Sequence, residues 1–518
     1  MVACPCYGQV TYKSFDNETP PVQEVRERLA TFEYAHTGFT SVYSAGLKGR
    51  ALDLSGDAPV RIPVVLGKAE TPDYRKNFFL SVWVKTKPGA RQGTPILSNK
   101  KSADYDKPGW ILGTGDRGAW FFQISDGQNT YSYEPTAERQ AVNDGAWHQL
   151  AVTVDRDKHE GRFYFDGRNV AIYNLAGLSD VCSEQATVIG GADEYTDWGS
   201  RGEWTAFNGY IDEVRIGNGE LPAARVREEY ASLLPGKAPA EPCAAPDRLK
   251  VQVWNIWHGG HRSGQHVGVE RVIDVLKTND ADVIGLIETY GSGAIIADSL
   301  GYYFYLISSN LSIMSRYPIE STIPVFKPFY SGGALLDLGE GKKLAFFDLW
   351  LSASPDICDL FQGQAVADKL AAEEKLTRQK EIEQILSEIA PYIARADEVP
   401  VLAVGDFNCG SHLDWNVRTQ ELHNGLVADW PTSRSMLASG FNDSFREINP
   451  DPLKDPGFTW SPLINHVTQA QNCIRDRIDF IYYRGKSLTP YYSRVFDYAP
   501  PFWPSDHGSV ITHFYLTY

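Results

Sequence analysis

The stretch from Pro235 to Pro242, reading PGKAPAEP, constrains this chain more than any other feature. Proline favours extended backbone, and alanine and glycine leave little to bury, so the stretch reads as a linker rather than part of a core. The hydrophobic period changes across it. Before it, Phe79-Leu-Ser-Val-Trp-Val, His148-Gln-Leu-Ala-Val-Thr-Val and Gly161-Arg-Phe-Tyr-Phe alternate with period two, and Asp144-Gly and Asp166-Gly supply turns beside them. After it, strand patterns such as VQVWNIW, DVIGLIE and VPVLAVGDFN alternate with helical ones such as VGVERVIDVLKTNDA. The clearest helix is expected over 365–392, where Leu376, Ile382, Ile385 and Ile389 fall near one face. The pattern predicts a multidomain chain. An N-terminal extension (1–29) precedes an all-β jelly-roll sandwich (30–234), closed by a short helix from Ala223 to Leu234. A Pro/Ala-rich linker (235–248) then leads to a four-layered α/β sandwich (249–518), two packed sheets flanked by helices.

Composition narrows the function classes. The chain has 49 basic and 65 acidic residues, a formal charge of -16, which repels nucleic acid and anionic membranes at long range. No apolar run reaches the length of a transmembrane helix, about 18 residues. Seven cysteines occur without a C-x-x-C pair, which argues against a zinc ribbon or a thioredoxin-like site. The opening MVACPC lacks the charged and apolar regions of a signal peptide, yet VAC is similar to the end of a bacterial lipoprotein signal. An extracytoplasmic location, secreted or lipid-anchored, is expected on that basis.

In the first half, GLKGRALDLSG, FFLSVWVK, PILSNK, GWILG, DGAWHQLAVTVDR, FYFDG and FNGYIDEVRIG follow one another. This order resembles laminin-G-like and pentraxin-like domains of the concanavalin A-like lectin class. The resemblance implies the fold but no single ligand, since such domains bind glycans, proteins or calcium, or brace a neighbour. Trp83 and Trp147 stand in or beside alternating strands and are expected in the core. The stretch Ala192-Asp193-Glu194-Tyr195-Thr196-Asp197 offers hard oxygen ligands for Ca²⁺ or forms a solvated loop, and Tyr195 and Trp198 could stack on a sugar.

In the second half, polar residues stand at the ends of apolar strands. Asn255 ends VQVWN, Glu288 ends DVIGLIE, Asp406 and Asn408 lie in GDFN, Asp479 interrupts RIDFIYY, and Asp506-His507 precede SVITHFYL. Carboxylates buried at strand ends need partners, and a divalent metal supplies one. Together NIWHGG, DVIGLIE, SRYPI, GDFN, RIDFIYY and SDHG resemble, in order, the endonuclease/exonuclease/phosphatase superfamily. That superfamily includes deoxyribonuclease-I-like enzymes, abasic-site nucleases, neutral sphingomyelinases and inositol phosphate phosphatases. The resemblance implies that Glu288 is the principal Mg²⁺ ligand (Mn²⁺ being the alternative), with Asn255 beside it and Asp506 in the metal and water network. It makes Asp406 the residue that orients or deprotonates the attacking water, and Asn408 a holder of a phosphate oxygen. His507 would donate a hydrogen bond to the phosphoryl oxygen, Asp479 would fix its tautomer, and Arg316 would be a more distant charge near the phosphate. One departure stands out: Trp350, in FFDLWL, occupies the place of a histidine that serves the leaving group in the nuclease-like and sphingomyelinase-like branches. An indole cannot act as a proton donor for acid catalysis. His258, His261 and His412 are the candidate replacements.

The second half has no basic run, and Phe326, Phe329, Tyr330, Trp415, Trp430, Trp460, Phe502 and Trp503 lie between its motifs. They could line an apolar or sugar-stacking pocket or simply pack loops. With the lectin-like neighbour, the reading is a monomeric Mg²⁺-dependent phosphodiesterase acting on a phospholipid headgroup or phosphorylated glycan by in-line water attack, with nucleic acid not favoured as a partner. The alternatives are a secreted metal-dependent nuclease, a phosphomonoesterase, and a non-catalytic glycan-binding protein.

Overall fold

The computed structural model describes residues 10–16, 42–55, 63–90, 93–100, 107–191, 207–237, 244–356, 364–461 and 475–518. The chain divides into two compact units, Met1–Ala240 and Glu241–Tyr518. The candidate calcium loop Ala192–Asp197, with Trp198, lies outside the described residues, as do most of the N-terminal extension and the centre of the linker.

The first unit is a sandwich of two antiparallel sheets. One runs Val42–Ala45, Arg50–Asp53, Tyr210–Asn218, Phe78–Lys85, His148–Asp155, Glu160–Phe165 and Arg168–Asn174, and Val10–Lys13 also pairs with Tyr210–Asn218. The other runs Val64–Val65, Val188–Ile189, Pro95–Ser98, Gly109–Thr114, Trp120–Ser125 and Thr130–Tyr133. Neighbouring strands distant in sequence give the jelly-roll-like crossovers expected of such a sandwich. Asp166 (φ 49°) and Gly167 (φ 78°) form the two-residue hairpin turn that Asp-Gly signals, because both positions need left-handed backbone. Tyr133 stacks on Phe163 of the other sheet at 5.1 Å. Trp83 is buried as expected, its ring lying parallel to Tyr230 of the helix Ala223–Leu233 at 5.5 Å.

His148 shows how this unit is tied at one end. Its Nδ1 lies 2.9 Å from Asp166 and its Nε2 3.0 Å from Asp144, while its ring stacks on Phe165. Burial alone lowers its pKa, but the hydrogen bond and charge of Asp166, then those of Asp144, outweigh this and raise it. A His pKa raised in the folded state adds stability that is complete below the unfolded value, about 6.5, and is lost as pH rises through the folded value. Hydrogen-exchange protection of the strand His148–Asp155 is therefore expected to fall as pH passes through that higher value, and Asp166→Asn should flatten the fall. A pH-independent wild-type protection would overturn this account.

The second unit has two sheets. The first runs Tyr303–Leu306, Leu311–Ser315, Val283–Ile287, Arg248–Asn255, Ser509–Leu516 and Leu488–Phe496. The second runs Ile319–Pro324, Ser331–Gly339, Lys342–Trp350, Val401–Asp406, Asp479–Arg484 and Asn442–Asp443. Each has one parallel pair near its centre, Arg248–Asn255 with Val283–Ile287 and Lys342–Trp350 with Val401–Asp406. Parallel strands need a long crossover, and helices Val267–Asn279 and Arg378–Glu388 lie in those crossovers. The sheets meet face to face: a side chain at Gly285 would come 2.6 Å from the Asp348 carboxylate of the opposite sheet. Ile382, Ile385, Leu386 and Met436 cover the outer side of the second sheet through Phe347, Ala403 and Phe480. Gly293, opening the helix Gly293–Leu300, lies against Phe304 of the first sheet.

The helix expected over 365–392 is broken into Gln364–Glu374, Arg378–Glu388 and Ala390–Ala394, and Leu376, expected on the apolar face, is 66% exposed at the first break. Tertiary contacts outweigh helical periodicity there. Buried Glu374 accepts the Thr432 amide at 2.9 Å, and buried Arg378 donates to the carbonyls of Ser352 (3.0 Å) and Pro355 (2.9 Å).

A second buried charge group lies just before Asp479. The Arg477 guanidinium donates to Asp414 at 2.8 Å and grips Asp443 with two bonds of 3.1 and 2.7 Å, while Arg446 also holds Asp414. Removing one partner of such a pair strands the others without water, at a cost of about 3–5 kcal/mol. Arg477→Met is expected to lower stability by that order, read as an earlier urea midpoint. An unchanged midpoint would show the network to be dispensable.

Candidate active site at the strand ends

The parallel pairs bring Asn255, Glu288, Trp350 and Asp406 to the ends of their strands, and Asp479 stands opposite Asp406 in the neighbouring antiparallel strand. Asn255 is buried, and its side-chain amide donates to both Asp406 (3.2 Å) and Glu288 (3.3 Å), while its oxygen accepts the Trp257 amide at 3.0 Å. It thus ties two carboxylates together. Gly405 is needed before Asp406 because a side chain there would come 2.0 Å from the Leu349 carbonyl oxygen of the adjoining strand. The other Asp406 oxygen accepts the Asn408 amide at 2.9 Å, and the Asn408 side chain donates to the Leu351 carbonyl at 2.8 Å.

His507 is oriented from several sides. Its Nδ1 lies 3.0 Å from Asp479, and its Nε2 faces Asp406 at 4.0 Å. Its backbone amide donates to Ser505, and its carbonyl receives the indole N–H groups of Trp254 (3.1 Å) and Trp503 (2.7 Å). Ser505 in turn donates to the Asn255 carbonyl at 2.6 Å. Burial depresses the His507 pKa, but the charge of Asp479 and then Asp406 reverses this and raises it. Burial raises the Asp406 pKa, His507 opposes this, and Asp479 adds to it. For Asp506 burial again comes first, lowered by His507 and raised by Glu288, and the net shift is upward.

The ligand atoms of Asp406, Asp479 and His507 lie within 4.8 Å of one another, a group able to hold a divalent ion. Two further carboxylates, Glu288 and Asp506, adjoin it, and one buried oxygen of each of Asp479 and Asp506 has no hydrogen-bond partner. Unpaired acceptor oxygens of this kind suit a hard cation.

The backbone at this mouth is strained. Glu288, Tyr290 and Asn408 have positive φ, and Trp257, His258, Gly259 and Gly260 form four consecutive left-handed residues. This turn aims the amide of His258 at the Glu288 carboxylate (2.8 Å) and that of Gly259 at the Glu288 carbonyl (2.6 Å). Of the three candidate replacement histidines, His258 alone lies against this group, with its Nε2 3.9 Å from Glu288 and its ring stacked on Tyr290. His261 faces the Gln265 carbonyl, and His412 bonds Ser433.

Arg316 departs from expectation. It follows Leu311–Ser315, which runs antiparallel to Val283–Ile287, so it emerges at the opposite strand end from Glu288, where it pairs with Asp280 and Asp282. Its charge stabilises that loop and not a phosphate. The loop aromatics also separate: Trp415, Trp430 and Trp503 are buried, whereas Phe329 is 38% exposed. Sequence reasoning passed over Asn310, a buried residue that accepts the Glu288 amide at 3.2 Å and donates to the Phe329 carbonyl at 2.9 Å. A polar residue directly before the apolar run LSIMS was the only signal for it.

Residues 253–507 match the Endonuclease/Exonuclease/phosphatase family, and residues 56–227 match the Concanavalin A-like lectin/glucanases superfamily. The chain is 27% identical over 297 residues to "Uncharacterized protein F14F9.5" of Caenorhabditis elegans, covering 51% of this chain and 91% of that protein. Similar solved structures include a truncated Caenorhabditis elegans TDP2 at 17% identity, covering 52% of this chain and 98% of that one, with a TM-score of 0.38. Another is the 3′ phosphatase NExo from Neisseria bound to a product DNA hairpin, at 15% identity, covering 51% and 99%, with a TM-score of 0.37. The expectation that disfavours nucleic acid as a partner, drawn from the net charge of the chain, is corrected. The physical reason is that a net charge of -16 is a sum over the whole chain and does not report the local potential of one mouth. From its site and its family match, the C-terminal unit is a metal-dependent phosphoester hydrolase of the Endonuclease/Exonuclease/phosphatase family, joined to an N-terminal domain of the Concanavalin A-like lectin/glucanases superfamily.

Proposed function

We propose that the C-terminal unit hydrolyses a phosphoester of nucleic acid, with water as the nucleophile. The observation that carries the hydrolysis is the convergence of Asp406, Asp479 and Asp506 on one imidazole, His507, whose Nε2 faces Asp406 while Asp479 holds its other nitrogen, with Glu288 tied to Asp406 through Asn255. Glu288 and Asp506 are the residues that would hold Mg²⁺ or Mn²⁺, with Asn255 fixing the Glu288 carboxylate beside Asp406. The ion, when bound, supplies Lewis-acid stabilisation of charge on the phosphoryl oxygens. Asp406 accepts a hydrogen bond from the attacking water and takes its proton as the new P–O bond forms; the opposite P–O bond breaks, and the leaving oxygen takes its proton from solvent. His507 presents an Nε2–H to a phosphoryl oxygen because Asp479 engages Nδ1, and its positive charge offsets that of the phosphate. Support for nucleic acid comes from the rings of Phe329, Tyr330 and Trp350, which cluster at the strand end that carries Asp406. Bases stack on such rings.

Cleavage of an oligonucleotide and of bis-p-nitrophenyl phosphate is expected in Mg²⁺ or Mn²⁺ and is lost in EDTA. Asp406→Asn and His507→Ala should each lower turnover by at least about 10²-fold with unchanged circular dichroism. Near-native turnover in both variants would refute the assigned roles, and hydrolysis of the small diester with no attack on DNA or RNA would refute the substrate class.

The metal has a readout independent of catalysis. An ion that binds only the folded state raises the unfolding temperature. Mn²⁺ is expected to do so in the wild type and not in a Glu288→Gln, Asp506→Asn double variant. An equal rise in both would move the metal elsewhere.

A further inference from the structure

We infer that Trp350, Phe329 and Tyr330, with Lys327, form a subsite that stacks an unpaired base of the nucleic acid next to the scissile phosphate, so that the enzyme selects single-stranded or frayed substrate over intact duplex. The inference rests on the proposal that nucleic acid is the substrate. Trp350 and Asp406 are in register in a parallel pair, so their side chains leave the sheet on the same face, side by side. Asp406 is buried, whereas Trp350 and Tyr330 are half-buried and Phe329 is open to solvent.

Phe329 meets the other two rings edge to face, and Tyr330 is tilted against Trp350. Phe329 lies 5.6 Å from Trp350 at 85°, and Tyr330 lies 5.6 Å from Trp350 at 49° and 5.9 Å from Phe329 at 69°. An edge-to-face contact covers one face of one ring, and the solvent-open Phe329 keeps surface for a stacking ligand. They are also fixed to the catalytic group. The Trp350 amide donates to the Tyr330 carbonyl at 2.8 Å, and Asn310 links the backbone of Phe329 to that of Glu288. The Lys327 ammonium lies 5.2 Å from the Phe326 ring and 5.7 Å from that of Tyr330. Among the described residues no carboxylate pairs with it, which leaves its charge for a backbone phosphate. Rings with an adjacent cation are the usual means of holding a single strand without reading its sequence. A base inside a duplex is covered on both faces by its neighbours and must be unstacked before it can use these rings.

The arrangement also accounts for the indole at position 350. An imidazole there would serve the leaving group, whereas an indole offers the larger face and no titrating proton. The strand end has exchanged acid catalysis for substrate binding.

The test compares two labelled strands of equal length, one of thymidines and one of abasic sites, by fluorescence anisotropy with the wild-type chain in EDTA. Stacking of one base is worth roughly 5- to 150-fold in affinity. The wild type is expected to prefer the thymidine strand by that order, Trp350→Leu and Phe329→Leu to lose most of the preference, and Trp350→Phe to keep most of it. Cleavage in Mg²⁺ should favour single strand over duplex of the same sequence, and Trp350→Leu should narrow that ratio. Equal wild-type affinity for the two strands, or a preference for duplex, would overturn the subsite while leaving hydrolysis of nucleic acid intact. A chain that cleaves no nucleic acid at all would instead remove the proposed function. A wild type that binds oligosaccharide at these rings in place of either strand would overturn the inference as well.

Discussion

Four carboxylates, Glu288, Asp406, Asp479 and Asp506, meet at one end of two packed sheets, and their mutual repulsion is the constraint on which the rest of the site depends. Burial makes that repulsion worse, because little water remains to screen it. The chain answers with donors: the Asn255 amide to two carboxylates, backbone amides to Glu288 and Asp406, and the His507 ring to Asp479. These leave acceptor oxygens on Asp479 and Asp506 still unpaired. A divalent cation is the natural completion of such a set, and the same surplus of negative charge raises the His507 pKa.

The scaffold bears the cost of holding this arrangement. Left-handed backbone at Trp257, His258, Glu288, Tyr290 and Asn408 is unfavourable for residues with side chains, and it is concentrated where amides must turn inward. Beneath it, two parallel pairs start the loops from fixed points, and the Arg477 network clamps the segment that leads into Asp479. Strain at the mouth and rigidity below it are complementary, since a loose scaffold would relax the turns.

Hydrolysis and selection occupy adjoining parts of the same mouth. Asn310 serves both, with its oxygen on the Glu288 amide and its nitrogen on the Phe329 carbonyl. A shift in the aromatic turn would therefore be felt at Glu288. The N-terminal unit has its own logic, a sandwich braced outside by the helix Ala223–Leu233 and at one end by His148 between two aspartates.

Much of this was legible in the residue order. Period-two and period-3.6 patterns, with Pro235–Pro242 between them, separate a β-sandwich from an α/β sandwich because burial periodicity is a local property of each element. Polar residues ending apolar strands pointed to Asn255, Glu288, Asp406, Asp479 and His507, since a buried carboxylate without a partner is too costly to be incidental. Partners drawn from distant segments were not legible. Arg316 reads as a more distant charge near the phosphate until strand direction sends it to the far end of the sheet. Leu376 reads as a core residue until Glu374 and Arg378 break the helix for bonds to Thr432 and Ser352. Asn310 carries only the faint signal of a polar residue before LSIMS, and nothing local joins Trp350 to Phe329 and Tyr330. By itself, then, the sequence determined the two folds and the chemical types at the strand ends, because periodicity and the cost of buried charge act residue by residue. Only the tertiary structure decided which of those groups face one another, because register and strand direction are set by pairing across the whole sheet.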